Sequence, residues 1–531
     1  MPRRPSSCVL RLLFVGIVGG ACASGTLTAA LQNVIDARAH QDNVSYSFAV
    51  VGDESASGEL SAAVVAGFDD RASGLLATTE SRYPVGSVTK PYTAVAAMRL
   101  REQGRLDLDA PVHIILDPFF AAQALPSLQQ LWGNDSAVNK ITSRHLLGMQ
   151  SGLGDYDDLP LQNWTINHPS QDYLPMNYLE DLNKHFLFDP GQGAAYSSDG
   201  FVLMGYVLTA VTGGKEWSDF DQLGALGTVS PPWNGTTFTG AGPCSLHKGI
   251  VHQYAMCRPP GCLNPENPAP QGPTPAPTPG TCTGVRSGEE IRHGSVYETV
   301  IVKSVAECCS AAFEIAQDYP CTKYSYVEPA CTIFLKIYPP VYPNPNATTG
   351  WACGAQKPLV PSSFADLYTK SCANTWTAGN LAATPRDIAR FFFLLDHGKL
   401  VSAHSLQQMR NYHNFSAGFK TGGGYGLGLF DGDGNRDNPT QTDVTGAVVN
   451  WTYSFGHAGA DWGSTSYHNG YYPNLGVGMA LATNAAHGMN FTTGTAADDH
   501  ADNLYCELFN VVLNFVHPNT PALNCSNMTF Q

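Results

Sequence analysis

The stretch that decides the reading of this chain is YPVGSVTKPYTAVAAMRLREQGRLDLD, residues 83–109. It holds Ser87, two spacer residues and Lys90, followed by Val95, Met98 and Leu100 among alanines, with Gly104 at the close. Apolar positions at that spacing mark a helix, and a glycine just past the last turn ends one. Positions three apart share a helix face, so Ser87 and Lys90 point the same way at the start of a buried helix. A serine hydroxyl becomes a nucleophile when a base takes its proton. A lysine one turn away serves if burial and the positive helix N-terminus keep it neutral. The N–H of Ser87 is then a donor for an oxyanion. A second Ser-x-x-Lys, Ser245 to Lys248, sits among cysteines and prolines with no long apolar helix behind it, and reads as coincidence.

Working outward, 531 residues exceed one ordinary core and predict two or three domains. An apolar fraction of 43% and a charged fraction of 14% suit a folded, lightly charged chain. The N-terminus carries Arg3, Arg4 and Arg11, an apolar run from Leu12, and Ala21-Cys22-Ala23. That is the pattern of a secretory signal, residues 1–23, cleaved after Ala23. No later stretch has 18 consecutive apolar residues, so no membrane span is expected in the mature chain. Removing Cys8 and Cys22 leaves 14 − 2 = 12 cysteines, an even set that reads as disulfides. Sequons at Asn43, Asn134, Asn163, Asn234, Asn346, Asn414, Asn450, Asn490, Asn524 and Asn527 add the mark of a glycoprotein. The expected location is outside the cell or in the lumen of the secretory or endolysosomal pathway. Net charge is −15, and −15 − 3 = −18 once three arginines leave with the signal. Such a chain is a poor partner for nucleic acid or an anionic membrane.

The pattern predicts a helix over 27–39, then alternating strands in VSYSFAVVGD and LSAAVVAGFD, joined as a hairpin. Thr142 or Ser143 caps a short helix through Gln150. Tyr196-Ser197-Ser198 lies in a loop before a helix that begins near Phe201. Residues 259–281, PPGCLNPENPAPQGPTPAPTPGT, form a stiff linker. Six cysteines in the 72 residues from Cys282 to Cys353 make a separate disulfide-dense unit. Thr384 is an N-cap with Pro385 at the first helical position. GGGYGLGLF, WTYSFGHAGA, STSYHN and LGVGMALATN read as successive strands, and a last helix runs from Asp498 to Phe515. The predicted fold class is α+β: an antiparallel sheet flanked by helices, with an all-helical lobe. The expected division is 24–240 and 354–531 for the main domain, 241–281 for the linker and 282–353 for the inserted module.

GSVTK at 86–90, YSSDG at 196–200 and GHAGA at 456–460, with LLGMQSGL at 146–153 and AGNLAATPRDIARF at 378–391, resemble the serine beta-lactamase and penicillin-binding-protein superfamily, in its class C, D-aminopeptidase and esterase branch. The resemblance covers roughly 50–240 and 360–515. It implies Ser87 as the acylated nucleophile, Lys90 as its proton acceptor or electrostatic partner, and Tyr196 as a general base or relay. It matches His457 and Gly459 to the third element of that family, and assigns the N–H groups of Ser87 and Ala460 to the oxyanion hole. Ser198 stands where the family usually has Asn, which puts the positioning of an amide substrate and of Lys90 in question. KSVAECCSAAFEIAQDYPCTKYSYVEPACTIFL, at 303–335, resembles a PAN/apple-type module through Cys308, Cys309, Cys321 and Cys331. That resemblance implies a small sheet with one disulfide-stapled helix and a protein or glycan ligand.

Two weaker signals are set aside. Asp431, Asp433, Asn435 and Asp437 mimic a calcium loop, but Arg436 replaces its glycine and no glutamate closes it. GGGYGLG lacks the strand-then-helix setting of a dinucleotide site. No cofactor or metal is expected. The sequence therefore predicts an acyl-enzyme hydrolase of an ester or amide, small or peptidic. The alternative is a weak or inactive hydrolase fold that binds through 282–353.

Overall fold

The structure, a computed structural model, describes residues 23–525 apart from 43, 54–59, 134, 157–167, 169–170, 182–185, 258–282, 291–293, 302–303, 316–321, 328–329, 338–341, 353–362, 370, 373, 418–422, 433–441, 462 and 486–497. The signal sequence, most of the proline-rich linker and the rest of the calcium-like turn past Asp431 lie outside the described residues.

The main sheet is nine-stranded and antiparallel. Its long strands are Ser464–Tyr472, Val477–Thr483, Tyr46–Gly52 and, at the edge, Ser61–Ala66, in that order. Tyr46, Phe48 and Val50 pair with Thr483, Leu481 and Met479. Because side chains alternate along a strand, those three rings and branches share one face. There they meet Leu27, Leu31, Ile35 and Ala39 of the helix Ala23–Asp42, together with Leu504, Leu508 and Val512 of the helix Asp498–Val516. The spacing of four on each helix makes the stripe that seals this side. The opposite face carries Pro385–Asp396, whose Ile388, Phe391, Phe392 and Leu395 are fully buried. Thr384 caps that helix by accepting from the Asp387 N–H, as its sequence predicts.

The helical lobe packs Thr89–Glu102, His113–Ala121 and Ser198–Thr212 around Val95, Met98, Leu116, Phe120 and Tyr206. Phe120 meets Tyr206 edge to face at 5.2 Å, a geometry worth about 0.5–1.5 kcal/mol beyond area burial. The predicted α+β class, sheet and lobe together, is the observed one.

Four local expectations change. The helix expected near Phe201 already begins at Ser198, because Ser197 caps it by accepting from the Gly200 N–H. The short helix after Thr142 runs only Ser143–Leu147, because Gly148 already leaves helical geometry. GGGYGLGLF folds as a tight hairpin, Gly424–Tyr425 against Phe430–Asp431, closed by Gly426 N–H to Leu429 C=O. WTYSFGHAGA divides into Phe455–Gly456 and Gly459–Asp461. The break follows from a bulge in Ser464–Tyr472, where His468 takes φ +49° and Asn469 binds both the N–H and the C=O of His457.

The inserted unit is a five-stranded antiparallel sheet in the order Thr283–Glu290, Tyr342–Ala352, Thr322–Val327, Ala330–Ile337, Gly294–Ile301, with one helix, Val305–Ile315. Cys308 is buried, and both Cys308 and Cys309 are disulfide-bonded. The chain leaves the main body through Tyr254–Cys257 and returns through Ser363–Asp366, and these two strands pair with Met256 opposite Phe364. The disulfide Cys244–Cys372 closes the same root, and His252 Nδ1 lies 2.7 Å from Asp366 Oδ2. Residues 242–257, at the start of the expected linker, are thus held by the main body. Two paired positions are what a two-residue Asn-Gly turn joins. Replacing 257–363 with Asn-Gly is expected to leave a folded main body with its melting temperature within a few degrees of the full chain. Calorimetry of the shortened protein checks this, and aggregation or loss of the transition would show that the insert is part of the core.

Candidate active site

Ser87 lies in the turn just ahead of the helix Thr89–Glu102. Thr89 Oγ1 donates to the Gly86 carbonyl at 2.7 Å and accepts from the Leu381 N–H at 2.9 Å, which pins that turn to the strand Leu381–Ala383. Gly86 holds φ +48°, and a Cβ there would stand 1.9 Å from the Ala460 carbonyl oxygen. A Cβ on Gly459 would stand 2.1 Å from Val85 O and 2.7 Å from Ser87 N. Two glycines therefore let the strand Gly459–Asp461 lie directly on the nucleophile turn. Among the described residues the Ser87 N–H donates to no acceptor, so it is available to an oxyanion.

Lys90 is fully buried. Its Nζ lies 2.8 Å from Ser87 Oγ, 3.2 Å from Ser198 Oγ and 3.2 Å from the Ala378 carbonyl. Burial disfavours an ammonium there and these oxygens favour it. The same Nζ stands 4.8 Å from the centroid of the Tyr196 ring, within cation–π range.

Ser197 caps the helix Ser198–Thr212 by accepting from the Gly200 N–H, and gives its own proton to the Gly154 carbonyl. The Ser198 N–H donates to Asp155 Oδ1 at 2.8 Å. This aims the Ser198 hydroxyl at Lys90 and places Tyr196 at the lobe's edge. Tyr196 is buried among Phe415, Tyr425, Phe430 and His457, with ring centroids 6.2–6.4 Å away.

His457 is buried on the sheet side of that cluster. Its Nδ1 lies 2.5 Å from the Ala458 carbonyl and its Nε2 3.0 Å from the Tyr425 hydroxyl. Burial, and after it the neighbouring Tyr196, push the Tyr425 phenol well above its ordinary value. A second polar chain runs along the other wall: Tyr156 hydroxyl to Thr375 Oγ1 at 2.9 Å, Thr375 Oγ1 to Asn374 Oδ1 at 3.1 Å, and Asn374 Nδ2 to Asp461 Oδ1 at 2.7 Å. Thr375 and Trp376 both adopt positive φ there, +41° and +46°, a turn that delivers the Ala378 carbonyl to Lys90.

The structure thus gathers every residue the sequence singled out. Ser87, Lys90 and Ser198 touch, Tyr196 and His457 join through the aromatic cluster, and Gly459 and Ala460 lie on the serine's backbone. Sequence reading missed Tyr425, Asn469, Asp155 and the Ala378 carbonyl. The available signals were GGGYGLG, considered as a nucleotide loop, for Tyr425, and the stretch AGNLAATPRDIARF, which begins at Ala378. Among the described residues no group of three or more His, Cys, Asp or Glu is arranged to hold a metal.

A family profile described as beta-lactamase matches residues 31–222 and 335–502, more than half of the sequence. Penicillin-binding protein 4* of Bacillus subtilis (strain 168) is 31% identical over 144 residues, 27% of this chain and 28% of that protein. Penicillin-binding protein 4 of Amycolatopsis lactamdurans is 28% identical over 153 residues, 28% of this chain and 34% of that one. These matches span about a third or less of either relative. In overall fold the chain is similar to a D-stereospecific amidohydrolase from Streptomyces sp., with TM-score 0.52 and 18% identity over 93% of this chain and 99% of the other. The D-amino acid amidase of Ochrobactrum anthropi SV3 gives TM-score 0.53 and 16% identity over 92% and 99%. Since the profile covers Ser87, Lys90 and Tyr196 in its first segment and His457 in its second, and the fold brings those segments together, the chain belongs to the beta-lactamase family.

Proposed function

We propose that this protein is an exported serine hydrolase that cleaves an ester or amide through an acyl-enzyme on Ser87. The observation that carries the reading is the 2.8 Å contact between Lys90 Nζ and Ser87 Oγ at a fully buried lysine. Ser87 Oγ attacks the carbonyl carbon, its proton passes to Lys90, and the oxyanion takes the Ser87 N–H with Ala460 beside it. The Tyr196 phenol relays the proton to the leaving alkoxide or amine. Water then attacks the ester, Ser87 regains its proton and the acid departs. Ser198 offers one hydroxyl, and Lys90 engages it. An asparagine would add an amide for the substrate, so esters are the favoured substrates and amides the slower ones.

Export is supported by the leader pattern and by sequon asparagines Asn234, Asn414 and Asn450, all exposed. No helix among the described residues is long and apolar enough to cross a membrane. The inserted sheet and helix, with buried Cys308, fit a PAN/apple-like module, proposed to bind a protein or glycan.

The test is a fluorophosphonate probe followed by peptide mapping, beside a panel of activated esters and D-amino acid amides. The expected result is an adduct on Ser87 and ester turnover above amide turnover. An unlabelled Ser87 with no turnover on either panel overturns the reading.

A further inference from the structure

We propose that Tyr425 is a positioning residue that holds the His457 ring neutral with its proton on Nδ1, so that the serine proton leaves through Lys90 and not through the imidazole. The second half rests on the hydrolase reading above; the tautomer does not.

The argument is one of donors and acceptors. A carbonyl oxygen only accepts. Ala458 O lies 2.5 Å from His457 Nδ1, so Nδ1 carries a proton. Nε2 then presents its lone pair to the Tyr425 hydroxyl at 3.0 Å. Tyr425 has no exposed surface, and burial keeps its phenol protonated, so it is the donor. Protonating Nε2 would make the Tyr425 oxygen the acceptor and leave its own O–H, in a dry site, with no acceptor among the described residues, at the cost of an unmade buried hydrogen bond.

The surroundings agree. Aromatic rings facing the imidazole include Phe430 at 4.7 Å between centroids, Tyr196 at 6.3 Å and Tyr425 at 5.7 Å. Asn469, from the bulged strand, holds the backbone on both sides. Asp431, next to Phe430, accepts from the Tyr453 hydroxyl, and Arg410 lies over Phe455 and donates to the same hydroxyl. Those two charges sit with Tyr453 rather than with the ring. His457 is therefore a post that fixes the turn into Gly459. Its alignment sets where Gly459 rests on Ser87, which links a buried phenol to the oxyanion site.

Long-range nitrogen-15 NMR of histidine-labelled full-length protein tests this, with His457→Gln to assign the signal. The expected result is the Nδ1–H tautomer, unchanged between about pH 5 and 8. In Tyr425→Phe, with the donor to Nε2 removed, the single tautomer is expected to give way to a mixture of Nδ1–H and Nε2–H forms. Acylation of Ser87 is expected to slow about three- to tenfold, what one positioning hydrogen bond is worth. An Nε2–H tautomer in the wild type, or a wild-type ring that titrates normally, overturns the proposal without any variant. A fixed Nδ1–H tautomer in a protein that never acylates supports the positioning role and overturns the hydrolase reading instead.

Discussion

Ser87→Ala and Lys90→Met are each expected to remove acylation almost entirely while leaving a folded protein. The alanine deletes the attacking oxygen. The methionine keeps most of the lysine's volume and removes the amine that lies 2.8 Å from that oxygen. General-base assistance is worth roughly 10²–10⁴-fold, and Lys90→Met should lose about that much in the rate of ester-probe acylation. The two groups work as a unit, so the double variant is expected to lose no more than Ser87→Ala alone. Stability should move the other way from activity. Lys90 has no exposed surface, and an apolar side chain of similar volume removes the cost of keeping a polar group out of water there. Stopped-flow acylation beside thermal melts gives both numbers. A Lys90→Met protein that acylates within tenfold of wild type would remove the lysine from the mechanism.

Gly459→Ala is the second large effect, and it acts through backbone. A Cβ at this position would meet Val85 O at 2.1 Å, and Ser87 N and Val88 N at 2.7 Å. No side chain can swing aside to relieve these contacts, so the strand must retreat from the nucleophile turn. Retreat pulls the Gly459–Asp461 strand off the Ser87 N–H. Loss of one oxyanion donor costs roughly 10²–10³ in kcat, and forced overpacking destabilises by about 1–3 kcal/mol. Gly240→Ala is the control, because nothing lies within 4 Å of a Cβ there. The expected result is a rate collapse at Gly459 with a lowered melting temperature, and near wild-type behaviour at Gly240. Equal rates in the two variants would mean that this strand does not shape the site.

The site was legible to unequal degrees. Ser87 and Lys90 could be paired from spacing, since one helical turn fixes their common face. Tyr196, His457 and Gly459 became readable only as a set in order, because each alone is an ordinary tyrosine, histidine or glycine. Tyr425 was not readable. Its partner is 32 residues away, and the glycines around it suit a tight hairpin as well as a phosphate loop. The strand break at His457 was hidden for a related reason: the bulge that causes it lies on the neighbouring strand, at His468 and Asn469.

What the sequence determined by itself is local. Periodicity set the helices Ala23–Asp42, Thr89–Glu102 and Pro385–Asp396, capping chemistry placed Thr384, and spacing put the serine and lysine on one face. What only the tertiary structure decided is non-local. The Ala378 carbonyl on Lys90, the Tyr425 hydroxyl on His457, and the pairing of Met256 with Phe364 at the root of the insert all depend on long loops closing. A helix stores its neighbours in a fixed repeat of the chain. Partners drawn from distant strands have no such repeat, and packing alone selects them.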